Sequence, residues 1–294
     1  MKLPPLLQLH FLVVLLALTA ILAKFISLPV PALVFWRTLL AAGGMALLLS
    51  LTRPALLRLP SPRQLPAILG VGAVIALHWL CFFGAITLSN VSVALSGLAS
   101  ISLFTAFTEA WHEKRPPHRR EITLGLVVLL GLLIIIGFET RQLSGLLVAL
   151  LGSFLASLFP VWNRHLVRDG TPARTLLFYE MSAACLTCAA CLFCLPGELF
   201  AFRLPLGGDW PALLVLALLC TTLGHTWHTS LLRHMSAYTA NLAVNFEPIY
   251  GMILAALLFH EHAHLHPGFY LGASLIIMAN LAEAILAKRR KPLP

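Results

Sequence analysis

The chain has 294 residues, of which 59% are hydrophobic and only 11% are charged. Soluble domains carry about 25% charged residues, so this composition excludes an ordinary soluble enzyme and indicates a helical membrane bundle. The formal net charge of +9 would suggest a nucleic-acid partner in a soluble protein, but here membrane topology accounts for it.

Ten apolar segments are long enough to cross a bilayer, because a spanning helix needs about 20 mostly apolar residues. Their continuous apolar character excludes a β-barrel. The first segment follows Lys2 like a signal peptide, but we expect it to remain as the first helix. The predicted helices cover residues 6–25, 31–51, 66–87, 90–111, 122–139, 143–162, 174–195, 211–232, 237–259 and 267–287.

Residues 77–100 and 224–247 match one another at an offset of 147 residues, with His78 aligned to His225. Further upstream, Phe35-Trp36-Arg37 recurs as Phe178-Tyr179-Glu180. The chain therefore divides into a first five-helix repeat at 1–140 and a second at 141–294. An internal repeat across a whole membrane protein is typical of secondary transporters, whose site lies where the repeats meet.

The distribution of Lys and Arg predicts the orientation of the helices. With the N-terminus inside, 16 of the 20 fall in inner loops or at the termini, which places both termini in the cytoplasm. Five helices per repeat is an odd number, so the second repeat enters the membrane inverted. The predicted fold is an all-α membrane protein: ten transmembrane helices as two inverted five-helix repeats around a central cavity.

Two motifs carry a family resemblance. SNVSVALSGLAS (89–100) precedes Thr108-Glu109, and SAYTANLAVNFEPIYG (236–251) precedes Phe259-His260-Glu261. With the two motifs in this order, the chain resembles the drug/metabolite transporter superfamily and specifically its EamA-type family. The resemblance implies a bacterial inner-membrane carrier that alternates access around a central cavity and exports amino acids, metabolites or toxic compounds. His78, His225 and His228 are not carried over from the family.

Small residues concentrate in the tight hairpins formed by predicted helices 3–4 and 8–9. Small residues let helices approach closely in lipid, so we expect these four helices to line the centre.

Glu247 lies near the middle of predicted helix 9, where an isolated carboxylate is costly, and Pro248 follows it. Asn241, Asn245 and Tyr250 lie within two turns. Glu247 either lines the cavity, where it takes up a proton or meets a cationic substrate group, or holds the kink by hydrogen bonds. Asn245 and Glu247 point nearly opposite ways on an ideal helix, unless Pro248 alters the phase.

His225 and His228 share a face of predicted helix 8, and His78 is the repeat partner of His225. These histidines either relay protons or serve as hydrogen-bonded packing residues, and metal ligation is a weaker alternative. Trp79 lies deep enough to stack against a ligand.

Arg37 and Glu180 occupy the same repeat position in helices 2 and 7. Arg37 either anchors the outer end by snorkelling or acts in gating or on a substrate carboxylate. Glu180 is expected to face the cavity or to pair with a basic residue such as Arg164 or Arg174. Glu109 is interpreted as an interfacial ion-pair residue near the loop at 114–120.

One run of cysteines and one run of histidines resemble metal sites, but each has a simpler explanation than a designed metal site. The four cysteines at 185, 188, 191 and 194 fall in one apolar helix, where they act as small apolar residues. For the histidines in 260–266, we expect adventitious metal binding rather than a designed metal site. Glu261 resembles the family's acidic residue after helix 9, with Glu113 as its nearest counterpart.

We expect a secondary active transporter that exports small metabolites, amino acids or toxic compounds, with a proton as one candidate coupling ion. The alternative is a membrane-embedded enzyme that uses His and Glu for acid–base or metal chemistry on a lipid. The expected partners are a small-molecule substrate and membrane lipid, without nucleic acid, and the expected assembly is a monomer or homodimer. No cofactor or resident metal is expected, and the location is the bacterial inner membrane.

Overall fold

All regular structure in the described part of the chain is helical. The computed structural model describes residues 4–138, 140–195, 197, 201–244 and 246–288. The helices are α1 (Pro5–Ala23), α2 (Val30–Thr52), α3 (Leu65–Leu88), α4 (Val91–Leu98), α5 (Ile101–His112), α6 (Arg119–Phe138), α7 (Leu143–Arg168), α8 (Ala173–Cys194), α9 (Asp209–Leu214), a π-helical segment (Val215–Leu223), α10 (Gly224–Leu231), α11 (Ala237–Val244), α12 (Glu247–Phe259) and α13 (Pro267–Lys288).

Six helical stretches in these ranges are long and apolar enough to cross a membrane. They cover Val30–Thr52, Leu65–Leu88, Val91–His112, Thr140–Arg168, Ala173–Cys194 and Asp209–Leu231. Shorter apolar helices cover Leu7–Ala23, Ile122–Ile135, Ile249–Phe259 and Pro267–Ala279. An all-α, multi-pass membrane protein is therefore supported, while the count of ten spans stays a prediction.

Two of the predicted helices are broken. The segment predicted at 90–111 consists of α4 and α5, and the segment predicted at 237–259 consists of α11 and α12. We call one end of the bundle the inner end; α2 ends there at Thr52 and α7 at Arg168. The opposite end, where α3 ends at Leu88, is the outer end. The names follow the predicted orientation.

The two repeats pack against each other along several helix pairs. α3 packs on α7 and α8, α2 on α8, and α6 on α13, while α4 packs on α12 and α5 on α11. Gly72 lies directly against the backbone carbonyl of Glu180, where no side chain fits. Close backbone approach through small residues is how helices associate in lipid, where the hydrophobic effect supplies no drive between them.

Candidate functional site

A cavity of about 90 Å³ lies in the middle of the bundle, between the repeats. A buried water needs only about 10–15 Å³ of such space, so the cavity has room for a few waters. Both repeats contribute to its wall, which consists of Leu16, Thr19, Arg37, His78, Trp79, Phe82, Leu98, Ile101, Ala156, Phe159, Cys220, His225, His228, Asn241, Val244 and Glu247.

The two helix breaks meet this cavity at equivalent positions. α4 ends at Leu98 and α5 begins at Ile101, while α12 begins at Glu247. The offset of 147 residues aligns Ser100, the residue before α5, with Glu247. Interrupted helices in corresponding positions of two repeats are the feature that marks transporter binding sites.

The break before α12 lies between two residues of the cavity wall. Asn241 on α11 and Glu247 on α12 both line the cavity. Asn241 donates a hydrogen bond to Thr105 Oγ1 at 2.8 Å. An uninterrupted helix would turn these positions away from each other, because six residues correspond to about 600° of rotation at 3.6 residues per turn. The interruption beside Pro248 lies between the two residues. The predicted opposition of Asn245 and Glu247 stays a prediction, because Asn245 lies outside the described residues.

Arg37 is buried in the cavity wall, with 2% of its surface exposed. Its Nε donates to Thr221 Oγ1 at 2.7 Å, and its guanidinium carbon lies 3.7 Å from the centre of the Trp79 ring. Its Nη1 has no hydrogen-bond partner within the described residues. A guanidinium that anchored the outer interface would reach water, so anchoring does not describe this side chain.

Glu247 lies in the same cavity with 6% of its surface exposed. It is close enough to Arg37 for their charges to interact. Among the described residues, however, the two form neither an ion pair nor a hydrogen bond. The cavity thus holds one cationic and one acidic side chain, each with capacity to bind a further group.

The three predicted histidines come together here but have different surroundings. His78 Nδ1 lies 2.8 Å from the carbonyl oxygen of Gly152, and His225 Nε2 lies 3.2 Å from Glu180 Oε2. Phe159 lies between them, with ring centroids 5.9 Å from His78 and 5.7 Å from His225. Within the described residues, no three His, Cys, Asp or Glu side chains are grouped so that they could hold a metal.

The other predicted site residues have different positions. Glu180 is buried beside His225 and is not part of the cavity wall. Tyr250 is partly exposed on α12, also away from the cavity. Asn245 lies outside the described residues.

Sequence reasoning missed part of the cavity wall. We expected predicted helices 3, 4, 8 and 9 to line the centre, but α1, α2 and α7 contribute as well, through Thr19, Arg37 and Phe159. Phe82 and Phe159 are aromatic residues within apolar segments, where the sequence does not distinguish a residue facing the cavity from one facing lipid. Thr19, a lone hydroxyl in the first apolar segment, is the only signal that could have pointed to α1.

The structure gives further detail on three sequence interpretations outside the cavity. Glu109 pairs with Arg164 at 2.9 Å rather than with the loop at 114–120. The histidine-rich stretch includes a 3₁₀ turn at Glu261–Ala263, directly after His260. The four cysteines lie on α8 without disulfides, as expected for small residues in one helix.

Comparison with known proteins agrees with this architecture. The EamA-like transporter family model matches residues 5–137 and 143–281, once for each repeat. A protein solved by crystallography has the same fold, with a TM-score of 0.69 and 19% identity over 97% of this chain and 99% of that one. No curated protein matches the sequence. Because the family model covers nearly the whole chain, the protein belongs to the EamA-like transporter family.

Proposed function

We propose that the protein is a secondary active exporter in the bacterial inner membrane. Its proposed substrates are small amphoteric metabolites such as amino acids, which carry both a carboxylate and a protonated amine. The observation that carries the proposal is that Arg37 and Glu247 both line one central cavity between the repeats. Within the described residues, the two side chains do not bind each other directly.

The two charges suit opposite ends of one solute. A guanidinium presents its N–H groups in a planar fork that matches a carboxylate, and Arg37 Nη1 has no other acceptor among the described residues. Glu247 would accept the ammonium group of the same molecule. The rings of Trp79, Phe82 and Phe159 form an apolar wall for its side chain.

The cavity is smaller than an organic solute requires. Pockets for organic ligands have volumes of about 300–1,000 Å³, whereas this cavity has about 90 Å³. Substrate entry therefore requires the helices around it to separate. The interruptions in α4–α5 and α11–α12 lie in the cavity wall and would absorb that movement, as one repeat rocks against the other.

Glu247 is also the proposed coupling residue. A carboxylate inside the membrane is costly while charged, so it exchanges a proton readily when its surroundings change. Binding of a substrate ammonium would favour the charged form, and release would favour protonation. Protons entering from the outside would then drive the substrate outward.

The test is counterflow in proteoliposomes. Vesicles preloaded with an unlabelled amino acid mixture should accumulate labelled amino acids without ATP, and a proton gradient should accelerate net flux. Absence of counterflow for all amphoteric solutes, or flux that requires ATP, would overturn the proposal. Turnover of a phospholipid by the same preparation, with bound metal in stoichiometric amount, would favour the enzyme alternative.

A further inference from the structure

A glutamate at the outer end holds the two broken helices together. Glu261 follows α12, and its carboxylate binds the start of α4. Its Oε1 accepts from the Val91 amide at 3.1 Å. Its Oε2 accepts from the Ser92 amide at 3.0 Å and from Ser92 Oγ at 2.8 Å. We call these contacts the outer clamp.

A second glutamate makes the reciprocal contact at the inner end. Glu109 lies near the end of α5, and its carboxylate binds the start of α11. Its Oε1 accepts from the Ala237 amide at 3.0 Å, and its Oε2 accepts from the Tyr238 amide at 3.0 Å. Both carboxylates are buried, with exposures of 1% for Glu109 and 7% for Glu261. We call these contacts the inner clamp.

The clamps are related by the internal repeat. The offset of 147 residues aligns Val91 with Tyr238, so each carboxylate binds the equivalent helix start in the opposite repeat. Glu109 follows Val91 by 18 positions, and at about 1.5 Å per residue the clamps lie roughly 27 Å apart. They therefore hold opposite ends of the same pair of crossing helices. The sequence comparison had paired Glu261 with Glu113, which makes no such contact.

The chemistry of a clamp links its release to the entry of water. The first amides of a helix have no partner in the helix and attract anions. Breaking a clamp without water would leave two buried amides unsatisfied and remove their bonds to the carboxylate, which is costly. Glu109 would keep its bond from Arg164 Nη1 at 2.9 Å. If the same end opens to water, all three groups are hydrated and the cost becomes modest. A clamp is thus stable while its end is closed and easily released when that end opens.

We propose that Glu109 and Glu261 are the inner and outer gates of the transport cycle. In the structure both clamps are closed. Release of the outer clamp lets α4 and α12 separate, and release of the inner clamp lets α5 and α11 separate. The breaks at the cavity allow each end to move while the other stays closed. This proposal rests on the proposed function only in that the protein alternates access.

Cys220 offers a native reporter for both gates, because its side chain lines the cavity and 1% of its surface is exposed. The other five cysteines, which are Cys81, Cys185, Cys188, Cys191 and Cys194, would be replaced by alanine. Labelling of Cys220 by a membrane-impermeant maleimide is then measured in right-side-out and inside-out vesicles. No substrate or gradient is present, so the result does not depend on identifying a substrate.

Glu261→Gln should increase Cys220 labelling from the outside about tenfold and reduce it from the inside, because a charged, bidentate acceptor is lost at one end only. Glu109→Gln should have the opposite effect on the two sides. Ser92→Ala removes one hydrogen bond of the outer clamp and should give a smaller increase from the outside. It also tests that clamp if Glu261→Gln fails to fold.

Glu113→Gln is the matched control at the inner end. Glu113 binds Arg164 Nη1 at 2.6 Å, the same nitrogen that binds Glu109, but within the described residues it forms no hydrogen bond with α11. Burial opposes ionisation of Glu113, but hydrogen bonds from Arg115 and Arg164 outweigh it and hold its pKa below the usual value. The control therefore removes a charge beside Arg164 while leaving the clamp intact, and labelling should not change.

Equal effects on both sides in the Glu261 and Glu109 variants, or no effect in either, would overturn the gate assignment. Opposite effects on the two sides with no counterflow of amphoteric solutes would retain the gates while rejecting the proposed substrates.

Discussion

The guanidinium of Arg37 lies over the face of Trp79, with 3.7 Å between its central carbon and the ring centre. The stacking fixes the plane of the cation, and the bond from Nε to Thr221 fixes its rotation at 2.7 Å. Arg37 is thus held with Nη1 available to a ligand, although the side chain could otherwise adopt many conformations. This preorganisation leads to the first prediction.

Arg37→Lys should raise the KM for a transported carboxylate about tenfold, since a lysine keeps the charge but loses the planar stacking. Arg37→Gln should raise the KM further, because the charge is also lost. The measurement is the concentration dependence of counterflow. Arg141→Lys, at an exposed position away from the cavity, serves as the control. An unchanged KM in the glutamine variant would show that Arg37 does not bind the substrate.

Glu247→Gln should abolish gradient-driven transport while the protein still inserts and folds. Glutamine preserves the volume but cannot exchange a proton, and loss of a buried ionisable group should raise the thermal stability. Proton-driven flux and the midpoint of thermal unfolding should be measured on the same preparation. Glu247→Asp, which retains an exchangeable proton, should keep part of the coupling. If proton-driven flux persists unchanged in the glutamine variant, Glu247 is not the coupling residue, and His225 and His228 are the next candidates.

Gly72→Ala should destabilise the protein by about 1–3 kcal/mol, the usual cost of overpacking an interior. A Cβ at Gly72 would meet the backbone oxygen of Glu180 and lie 2.7 Å from the Cβ of Ala183, so the contact between α3 and α8 must open. Gly70→Ala is the matched control two residues away, because nothing lies within 4 Å of its added Cβ. In detergent, the midpoint of thermal unfolding should be lower for Gly72→Ala than for Gly70→Ala. Equal midpoints would contradict the close packing of α3 against α8.

Reporter fusions test the orientation. Reporters placed after Lys291 or within 113–120 should be cytoplasmic, and reporters within 197–209 should be outside, because the Lys and Arg residues are distributed 16 to 4 between the two sides. A cytoplasmic signal from 197–209 would mean that the predicted number of helices is wrong by one.

Most helix positions could be predicted because apolar length is a strong signal in membrane proteins. The segment predicted at 174–195 corresponds to α8 at Ala173–Cys194, and that at 66–87 to α3 at Leu65–Leu88. The break after Leu98 was not predicted, because the sequence around it contains no proline. The equivalent break before Glu247 was indicated by Pro248. The π-helical segment Val215–Leu223 has no composition that sets it apart from an ordinary helix.

The candidate site was predictable to the extent that polar side chains are conspicuous in apolar segments. Arg37, His78 and Glu247 could be selected because each is costly in lipid and so requires an explanation. Their partners could not be predicted, because contacts such as Arg37 with Thr221 join residues 184 positions apart. A separation of 128 positions likewise concealed the clamp between Glu109 and Ala237 of α11, since only the packing of the repeats brings them together.

The opposite charges of Arg37 and Glu180 restrict how this chain could be assembled from its halves. Each residue follows the first residue of its helix by seven positions, α2 beginning at Val30 and α8 at Ala173. Two copies of the first half would bury two arginines at these equivalent positions, and two copies of the second half would bury two glutamates. Arg37 donates to Thr221 and lies near the charge of Glu247, both of which belong to the second half, so a pair of first halves would bury two arginines without these partners. Expressed as separate polypeptides, the first half should therefore associate with the second half and not with itself.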